Sequence, residues 1–231
     1  MKTLFVIPAR GGSKGVIKKN SKVLGNKPLI AYSIELARLF ANDIDICVST
    51  DDEEIIELVS NTYKLNIPFK RPIELATDTS STYDVLLHAV DYYLKQGIKY
   101  DALVLLQPTS PFRTKKNIED ALNLFSVNNI DMVVSVKESK ANPYFNLFEE
   151  NNDGFLTKSK ESNYTRRQDC PSVFEYNGAV YVIKIESLLQ KNIGQFKLVK
   201  KIVMTEEESL DIDTPLDWQF AEFFIAQKNG L

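Results

Sequence analysis

Two short stretches carry the residue types that phosphate chemistry needs. The first is Pro8-Ala9-Arg10-Gly11-Gly12-Ser13-Lys14-Gly15, directly after the apolar run Thr3-Leu4-Phe5-Val6-Ile7. Glycines let a backbone approach a ligand and turn successive N–H groups toward one anion. Arg10 and Lys14 add full positive charges, so the stretch reads as a phosphate cradle following a strand, with an ordinary strand-to-helix turn bearing two solvated cations as the alternative. It fits neither G-x-x-x-x-G-K-[ST] nor G-x-G-x-x-G, which argues against a P-loop NTPase and a dinucleotide-binding dehydrogenase. The second stretch is Asp211-Ile212-Asp213, whose two carboxylates share one side of an extended segment. Two oxygen ligands so placed suit Mg²⁺, which takes one or two carboxylates together with phosphate oxygens. Alone, the pair is equally a polar loop before the helix cap Thr214.

Other polar residues are read more narrowly. Asp51-Asp52-Glu53 could also hold metal, but it opens a helix, where carboxylates favour the positive dipole end, so most of it reads as structural. Arg166-Arg167-Gln168 offers guanidinium groups suited to a carboxylate, or a solvated pair. Gln107, held by Pro108, has a donor and an acceptor for a sugar or base. His88, the only histidine, stands mid-helix with no ligand partner nearby, which removes Ser-His-Asp hydrolysis.

The elements that must position these residues alternate through the first half. Helical spacing marks Ile30 to Phe40, with Ile30, Ile34, Ala37 and Phe40 on one face. It recurs at Glu54 to Tyr63, with Ile55, Leu58 and Val59 inward, and at Tyr83 to Lys95, with Leu86, Leu87, Val90 and Leu94 inward. Thr114 caps a helix reaching about Val127, and Thr214 with Pro215 and Asp217 caps the last one. Strands read at Ile44 to Ser49, Ala102 to Leu106, Met132 to Val136, Ala179 to Ile183 and Lys197 to Met204. This rhythm predicts an α/β fold with a mostly parallel sheet and helices on both faces. Ligands then sit beyond the carboxyl ends of the strands, gathering the loops at 8–20, 50–52 and 107–113. The rhythm fails from Lys137 to Gln168, where Asn151-Asn152-Asp153-Gly154 reads as a hairpin turn. Too small to bury Tyr144, Phe145, Leu147, Phe148 and Phe155, that stretch reads as an arm packing on a partner subunit.

Composition narrows the class. The chain has 231 residues, 44% of them hydrophobic, and a net charge of −3 without a basic block, which argues against non-specific nucleic-acid binding. No apolar run approaches the roughly 18 residues of a membrane span, and no signal-peptide pattern opens the chain. The two cysteines, Cys47 and Cys170, fall in no metal spacing, and Cys47 lies in an apolar run. A soluble, reduced, cytoplasmic protein is expected.

Taken together, Ile7 to Gly15 with Lys19-Asn20 resembles the opening signature of the CMP-sialic acid synthetases, cytidylyltransferases for N-acylneuraminate and related nine-carbon keto-sugar acids. The likeness extends in order through Arg71 to Thr79, Leu106-Gln107-Pro108-Thr109-Ser110-Pro111-Phe112-Arg113, Asn177-Gly178-Ala179 and Ser209 to Thr214. It implies a Rossmann-like nucleotidyltransferase fold, with a nucleotide-binding domain at 1–136 and 177–231 and a dimerisation arm at 137–176 reaching the partner's site. By resemblance, Ala9, Arg10, Gly11, Gly12, Ser13, Lys14 and Asn20 bind CTP, helped by Arg71 and the Ser80, Ser81, Thr82 stretch. Gln107 and Arg167, with Phe174 and Asn177 beside them, hold the sugar acid. Asp211 and Asp213 bind the metal, and Lys14, Arg10 and Asp211 carry the transfer.

The expected activity is attack of the sugar's anomeric 2-hydroxyl on the α-phosphorus of CTP, giving the CMP-sugar and pyrophosphate. Mg²⁺ or another divalent cation is the expected cofactor and a homodimer the expected assembly. One departure bears on the sugar. Members specific for N-acetylneuraminate carry a lysine shortly after the proline matching Pro143, whereas this chain has Asn142-Pro143-Tyr144-Phe145. Legionaminic or pseudaminic acid is therefore an alternative substrate. Kdo cytidylyltransferases lack Gly-Gly-Ser-Lys-Gly in the opening loop and rank lower. The remaining rivals are an enzyme for a phosphorylated sugar and a non-catalytic CTP-binding module.

Overall fold

The computed structural model describes residues 1–12, 15–127 and 129–229. In chain order these form β1 (Thr3–Pro8), a small ladder of β2 (Val23–Leu24) and β3 (Lys27–Pro28), α1 (Leu29–Ala37), β4 (Ile46–Ser49) and α2 (Glu53–Glu57). Next come α3 (Thr82–Lys95), β5 (Ala102–Leu106), α4 (Lys115–Ser126) and β6 (Met132–Glu138). The arm strands β7 (Phe148–Glu150) and β8 (Leu156–Lys158) follow, then β9 (Phe174–Lys184), α5 (Ile185–Gln190), β10 (Val199–Val203) and α6 (Pro215–Asn229).

The main sheet runs β10-β6-β9-β5-β1-β4. Neighbours are parallel at β10–β6, β5–β1 and β1–β4, while β9 is antiparallel to both β6 and β5. The sheet is mostly parallel, as the alternating pattern predicts. Side chains on successive strand residues face opposite layers. Phe5 and Ile7 therefore pack with Ile30 and Ile34 of α1 and Ile118 and Ala121 of α4. Leu4 and Val6 pack with Leu86, Ala89 and Val90 of α3 and Leu188 of α5. Helices thus cover both faces. A third cluster joins Val16, Leu29, Phe112, Ile212 and Trp218, so α6 draws the opening loop, the loop after β5 and the acidic segment together.

Local signals set most boundaries. Asp52 caps α2 by accepting from Glu54 N, the structural role expected of this acidic stretch. Ser81 caps α3, and Thr114 forms a capping box with Asn117 at α4. At α6, Asp217 N donates to Thr214 Oγ1 at 3.2 Å while Asp217 Oδ2 accepts from Thr214 N at 2.7 Å. Cys47 is fully buried, and burial pushes its thiol up to about 12. Three expectations need correction. The helix expected over 54–63 is α2 followed by a wider π-helical turn at Leu58–Thr62. Leu94 is exposed, and Tyr93 takes its place in the core beside Tyr100. β9 starts five residues before the strand expected at Ala179: Phe174, Glu175 and Tyr176 are exposed, and Asn177-Gly178 reads as a turn although the strand runs through it.

The arm is an excursion between β6 and β9, which pair directly at its base through Lys137–Glu175 and Glu138–Phe174. Its hairpin forms around the expected turn, with β7 and β8 exposed throughout. Phe148, Phe155 and Leu156 are all exposed.

One buried carboxylate ties the far edge of the sheet. Asp131 accepts from Ser187 Oγ at 2.7 Å, Lys191 Nζ at 3.1 Å and the backbone N–H groups of Lys197 and Leu198 at 3.2 and 3.1 Å. Burial pushes its carboxyl up, and these donors outweigh that, holding it at about 2. The folded value lies below the ordinary 3.8. Its contribution is therefore present at neutral pH and lost as pH falls from about 4 toward 2. Asp131→Asn is expected to lower the melting temperature at pH 7 by roughly 5 °C, with the gap closing below about pH 3. Thermal melts across pH check this, and a gap that persists at pH 2 would count against it.

Candidate active site

The carboxyl ends of β1 and β5 open into a cleft of about 500 Å³. Pro8 and Arg10 enter from the loop after β1, Gln107 and Thr109 from the loop after β5, and Ser80 and Thr82 from the start of α3. Arg71, Lys19, Asn20 and Asp213 complete the wall. The loop expected to cradle phosphate is shaped by its own hydrogen bonds. Ala9 N donates to Ser49 O at 2.9 Å, extending the β1–β4 pairing by one residue before the chain turns away. Gly11 N donates to Asp51 Oδ1 at 3.1 Å, and Asn20 Nδ2 ties back to Arg10 O at 3.1 Å. Gly12 is exposed, and among the described residues nothing stands within 4 Å of where its Cβ would be. Ser13 and Lys14 lie outside the described residues. Gly15 is packed so closely that a Cβ there would stand 1.8 Å from Asp213 O. The opening loop and the acidic segment, about 200 positions apart in sequence, therefore meet backbone to backbone.

Cations converge on this cleft. Arg10 Nη1 donates to Asp78 Oδ1 at 2.8 Å with its side chain part-exposed. Arg71 is 5% exposed; its Nε donates to Ser49 Oγ at 3.0 Å and its Nη2 to Ser49 O. Burial pushes its guanidinium down, with Asp51 opposing that shift. Lys19 is buried and donates to Ile212 O at 2.6 Å and to Asp213 Oδ1 at 2.9 Å. At the opposite wall Ser80 Oγ donates to Glu74 O at 2.9 Å, while Ser81 caps α3 and frames the wall without lining it.

The acidic pair straddles two cavities. Asp213 faces the cleft, and Asp211 faces an adjoining cavity of about 630 Å³ that also touches Lys137 and Lys140. Ile212 between them is fully buried and its N–H donates to Thr109 O at 2.8 Å. Burial pushes the Asp211 carboxyl above its ordinary range, the Thr109 hydroxyl opposes that, and Asp213 adds to it. Asp211 Oδ1 is buried without a hydrogen-bond partner. The two carboxylates line different cavities where one shared side was expected, and Asp213 is paired with Lys19; the buried, donorless Asp211 Oδ1 is the position that fits a divalent cation. Among the described residues no three His, Cys, Asp or Glu side chains gather as a metal cluster, so the pair would rely on phosphate oxygens for further ligands.

The residues expected at the sugar separate. Gln107 is in the cleft. Arg167 is exposed, donates to Ser139 O at 3.4 Å and lines a different cavity with Lys137 and Met204. Phe174 is 36% exposed, under Lys201 Nζ at 4.3 Å. Asn177 is buried as a knot. Its Oδ1 accepts from Ser135 Oγ at 2.6 Å and Ala179 N at 3.2 Å, and its Nδ2 donates to Ser209 Oγ at 2.8 Å. That side chain braces β9 rather than facing the cleft. The next residue, Gly178, has φ +73°, a turn that other residues adopt only with strain. His88 is half-buried against Phe69, apart from the cleft.

Residues 4–229 match the family model described as cytidylyltransferase. The chain belongs to the cytidylyltransferase family. It is 34% identical over 233 residues to the CMP-N,N'-diacetyllegionaminic acid synthase of Campylobacter jejuni, covering 98% of this chain and 96% of that one. It is 33% identical over 234 residues to the N-acylneuraminate cytidylyltransferase of Escherichia coli, covering 99% of this chain but 53% of that longer protein. Among solved structures, CMP:2-keto-3-deoxy-manno-octonic acid synthetase complexed with CTP superposes with a TM-score of 0.72 at 18% identity. That match covers 99% of this chain and 100% of the other, and it bears on the fold alone. The family resemblance and the nucleotidyltransferase fold expected from the sequence are both borne out.

Within this cytidylyltransferase, Lys19, Asp78 and Arg113 had been given no role from the sequence, although all three stand in the motifs that carry the resemblance. Lys19 lies in a run of polar residues that looks solvated, and only the fold reveals that its ammonium is buried against the acidic segment. Its signal was its place beside Asn20 in the opening signature, just after the glycine loop. Arg113 is 5% exposed, and burial pushes its guanidinium down to about 9, with Asp211 opposing that.

Proposed function

We propose that the chain transfers the cytidylyl group of CTP to the anomeric 2-hydroxyl of a nonulosonic acid, a nine-carbon 2-keto-3-deoxy sugar acid. The hydroxyl oxygen forms a bond to the α-phosphorus, the bond to the β-phosphate bridge breaks, and pyrophosphate leaves as the hydroxyl proton passes to solvent. The observation that carries this reading is the convergence of Arg10, Lys19 and Arg71 on a cleft that also holds Gln107 and Asp213. Both substrates are anions, so fixed cations lower the cost of bringing them together, and positioning supplies the rest. Arg10 and Lys19, with Lys14, take the triphosphate in this reading, Arg71 steadies the nucleotide, and Gln107 orients the sugar. Asp211 and Asp213 would hold a divalent cation, which when bound neutralises charge on the phosphates.

The sugar class has favoured members. Asn142-Pro143-Tyr144-Phe145 replaces the lysine of N-acetylneuraminate-specific enzymes, and the Campylobacter jejuni relative is named for N,N'-diacetyllegionaminic acid. A legionaminic-type or pseudaminic acid is therefore preferred over N-acetylneuraminate, with the reaction in the cytoplasm where CTP is made. Incubation with CTP, Mg²⁺ and a panel of these acids, scored by pyrophosphate release, tests the reading. Release that needs no sugar acid, or that responds only to sugar phosphates, would overturn it.

The arm completes the site in trans in this account. Phe148, Phe155 and Leu156 are exposed in one chain, and Arg167 stands outside its own cleft, which fits an arm that packs on a second copy and offers Arg167 and Phe174 there. Arg167→Ala and Asp211→Asn chains should each be nearly inactive as homodimers. Mixed together they should regain about a quarter of normal activity, since half the random pairs carry one intact composite site. Failure of the mixture to exceed its components would place Arg167 elsewhere.

A further inference from the structure

Arg113 has no place in the chemistry above, yet its bonds reach the parts that perform it. Its Nη1 donates to the carbonyls of Gln107 at 2.6 Å and Ala179 at 2.9 Å, and its Nη2 donates to Ser33 Oγ. One guanidinium therefore joins the end of β5, strand β9 and helix α1. The Gln107 carbonyl it grips belongs to the residue whose side chain stands in the cleft. Two residues further on, Thr109 O accepts the N–H of Ile212, between the two carboxylates. The loop from 107 to 113 is thus clamped at one end by Arg113 and strapped at its middle to the acidic segment.

Neutral groups could join these three elements at less cost, because a buried cation without a directly bonded carboxylate pays a desolvation penalty. What a guanidinium adds is a rigid planar fork that reaches several acceptors in fixed directions, which a lysine ammonium does not reproduce. Its Nε–H has no hydrogen-bond partner although buried, so the group is held for the directions of its other two nitrogens.

We propose that Arg113 is a positioning residue for the sugar-acid step, fixing Gln107 in register with the segment that carries Asp211 and Asp213. This rests on the reading of Gln107 as a sugar contact. Arg113 touches neither substrate and acts through the loop.

The test uses Arg113→Lys, which keeps the charge and loses the fork, in the full-length protein with and without Gln107→Ala. Three quantities are read: the sugar-acid KM, the CTP Kd by calorimetry, and hydrogen exchange at the Ile212 amide. Alone, Arg113→Lys should raise the sugar KM about ten-fold and leave the CTP Kd within about two-fold. In the Gln107→Ala background it should add less than about two-fold, since a positioning effect has nothing left to position. Exchange at Ile212 should quicken about ten-fold while α3 amides stay unchanged. Equal losses in both backgrounds, or a parallel loss of CTP affinity, would overturn the proposal. If Arg113→Lys does not fold, Ser33→Ala removes one acceptor of the fork and is read in the same way. Should the normal protein use no sugar acid at all, the functional reading falls separately. The Ile212 exchange then decides, unchanged exchange counting against the clamp.

Discussion

Asp211→Asn should lower turnover by at least about a hundred-fold and, in the absence of metal, raise the melting temperature. The two effects have one cause. Asp211 is a part-buried carboxylate with an unpartnered Oδ1, and burial pushes its carboxyl up. Without a cation the protein must hold a charged group in a poorly solvated place, which costs stability. The isosteric amide removes that charge, and about 1 kcal/mol regained would add roughly 2–4 °C in a chain of this size. A folded value raised above the ordinary 3.8 means the carboxyl favours the folded state at low pH and loses that contribution as pH rises. The thermal advantage of the variant should therefore shrink on acidification toward pH 4. The same substitution deletes the anionic ligand, and losing about 2.7 kcal/mol of transition-state stabilisation gives the hundred-fold drop. Melts and steady-state rates on one preparation check both halves. A variant that is destabilised at pH 7, or that retains near-normal turnover, would remove Asp211 from the metal site.

Gly15→Ala is expected to be nearly as damaging, for a steric reason. The added Cβ would lie 1.8 Å from Asp213 O and 3.0 Å from Asp213 C, both backbone atoms. No rotamer change relieves such a contact, so either the opening loop or the acidic segment must shift by more than an ångström. Both carry the reaction in this account, and a displacement of about 1 Å can cost a hundred-fold in rate. CTP affinity should fall as well, because Gly15 lines the cleft. Gly194→Ala, away from the cleft, is the control: its Cβ would meet only Asn192 Oδ1 at 3.8 Å, an ordinary contact, and φ there lies outside the left-handed region. It should bind CTP within about three-fold of normal. Near-normal turnover and CTP affinity in Gly15→Ala would show that the contact with Asp213 does not hold the site.

The sequence disclosed the frame because its signals are local. Ala102 to Leu106 is a strand from end to end, and Thr114, Thr214 and Asp52 cap the helices they precede. The inward faces of α1 and α3 followed from period, apart from Phe40, which lies beyond the end of α1, and Leu94, which is exposed in the last turn of α3. Direction was not legible. β9 runs against its neighbours because the arm leaves and returns between β6 and β9 as one long hairpin, and a strand's own residues do not state which way it runs. At the site, residue types singled out the cationic loop, Gln107 and the acidic segment, and the family resemblance added Arg71; Arg10, Arg71, Gln107 and Asp213 line one cleft. Lys19 and Arg113 were not, since a buried cation is defined by distant partners such as Ile212 O and Ala179 O. Asn177 was assigned to the sugar and stands instead in a closed knot with Ser135 and Ser209, a distinction that depends wholly on tertiary contacts.

The central claim is transfer of CMP to a sugar acid, and product identity tests it most directly. The protein is incubated with CTP, Mg²⁺ and a legionaminic-type acid, and the product is examined by mass spectrometry and phosphorus NMR. A single phosphodiester joining CMP to the anomeric carbon is expected, formed in equal amount with pyrophosphate. Free CMP with no sugar conjugate from any nonulosonic acid would contradict it.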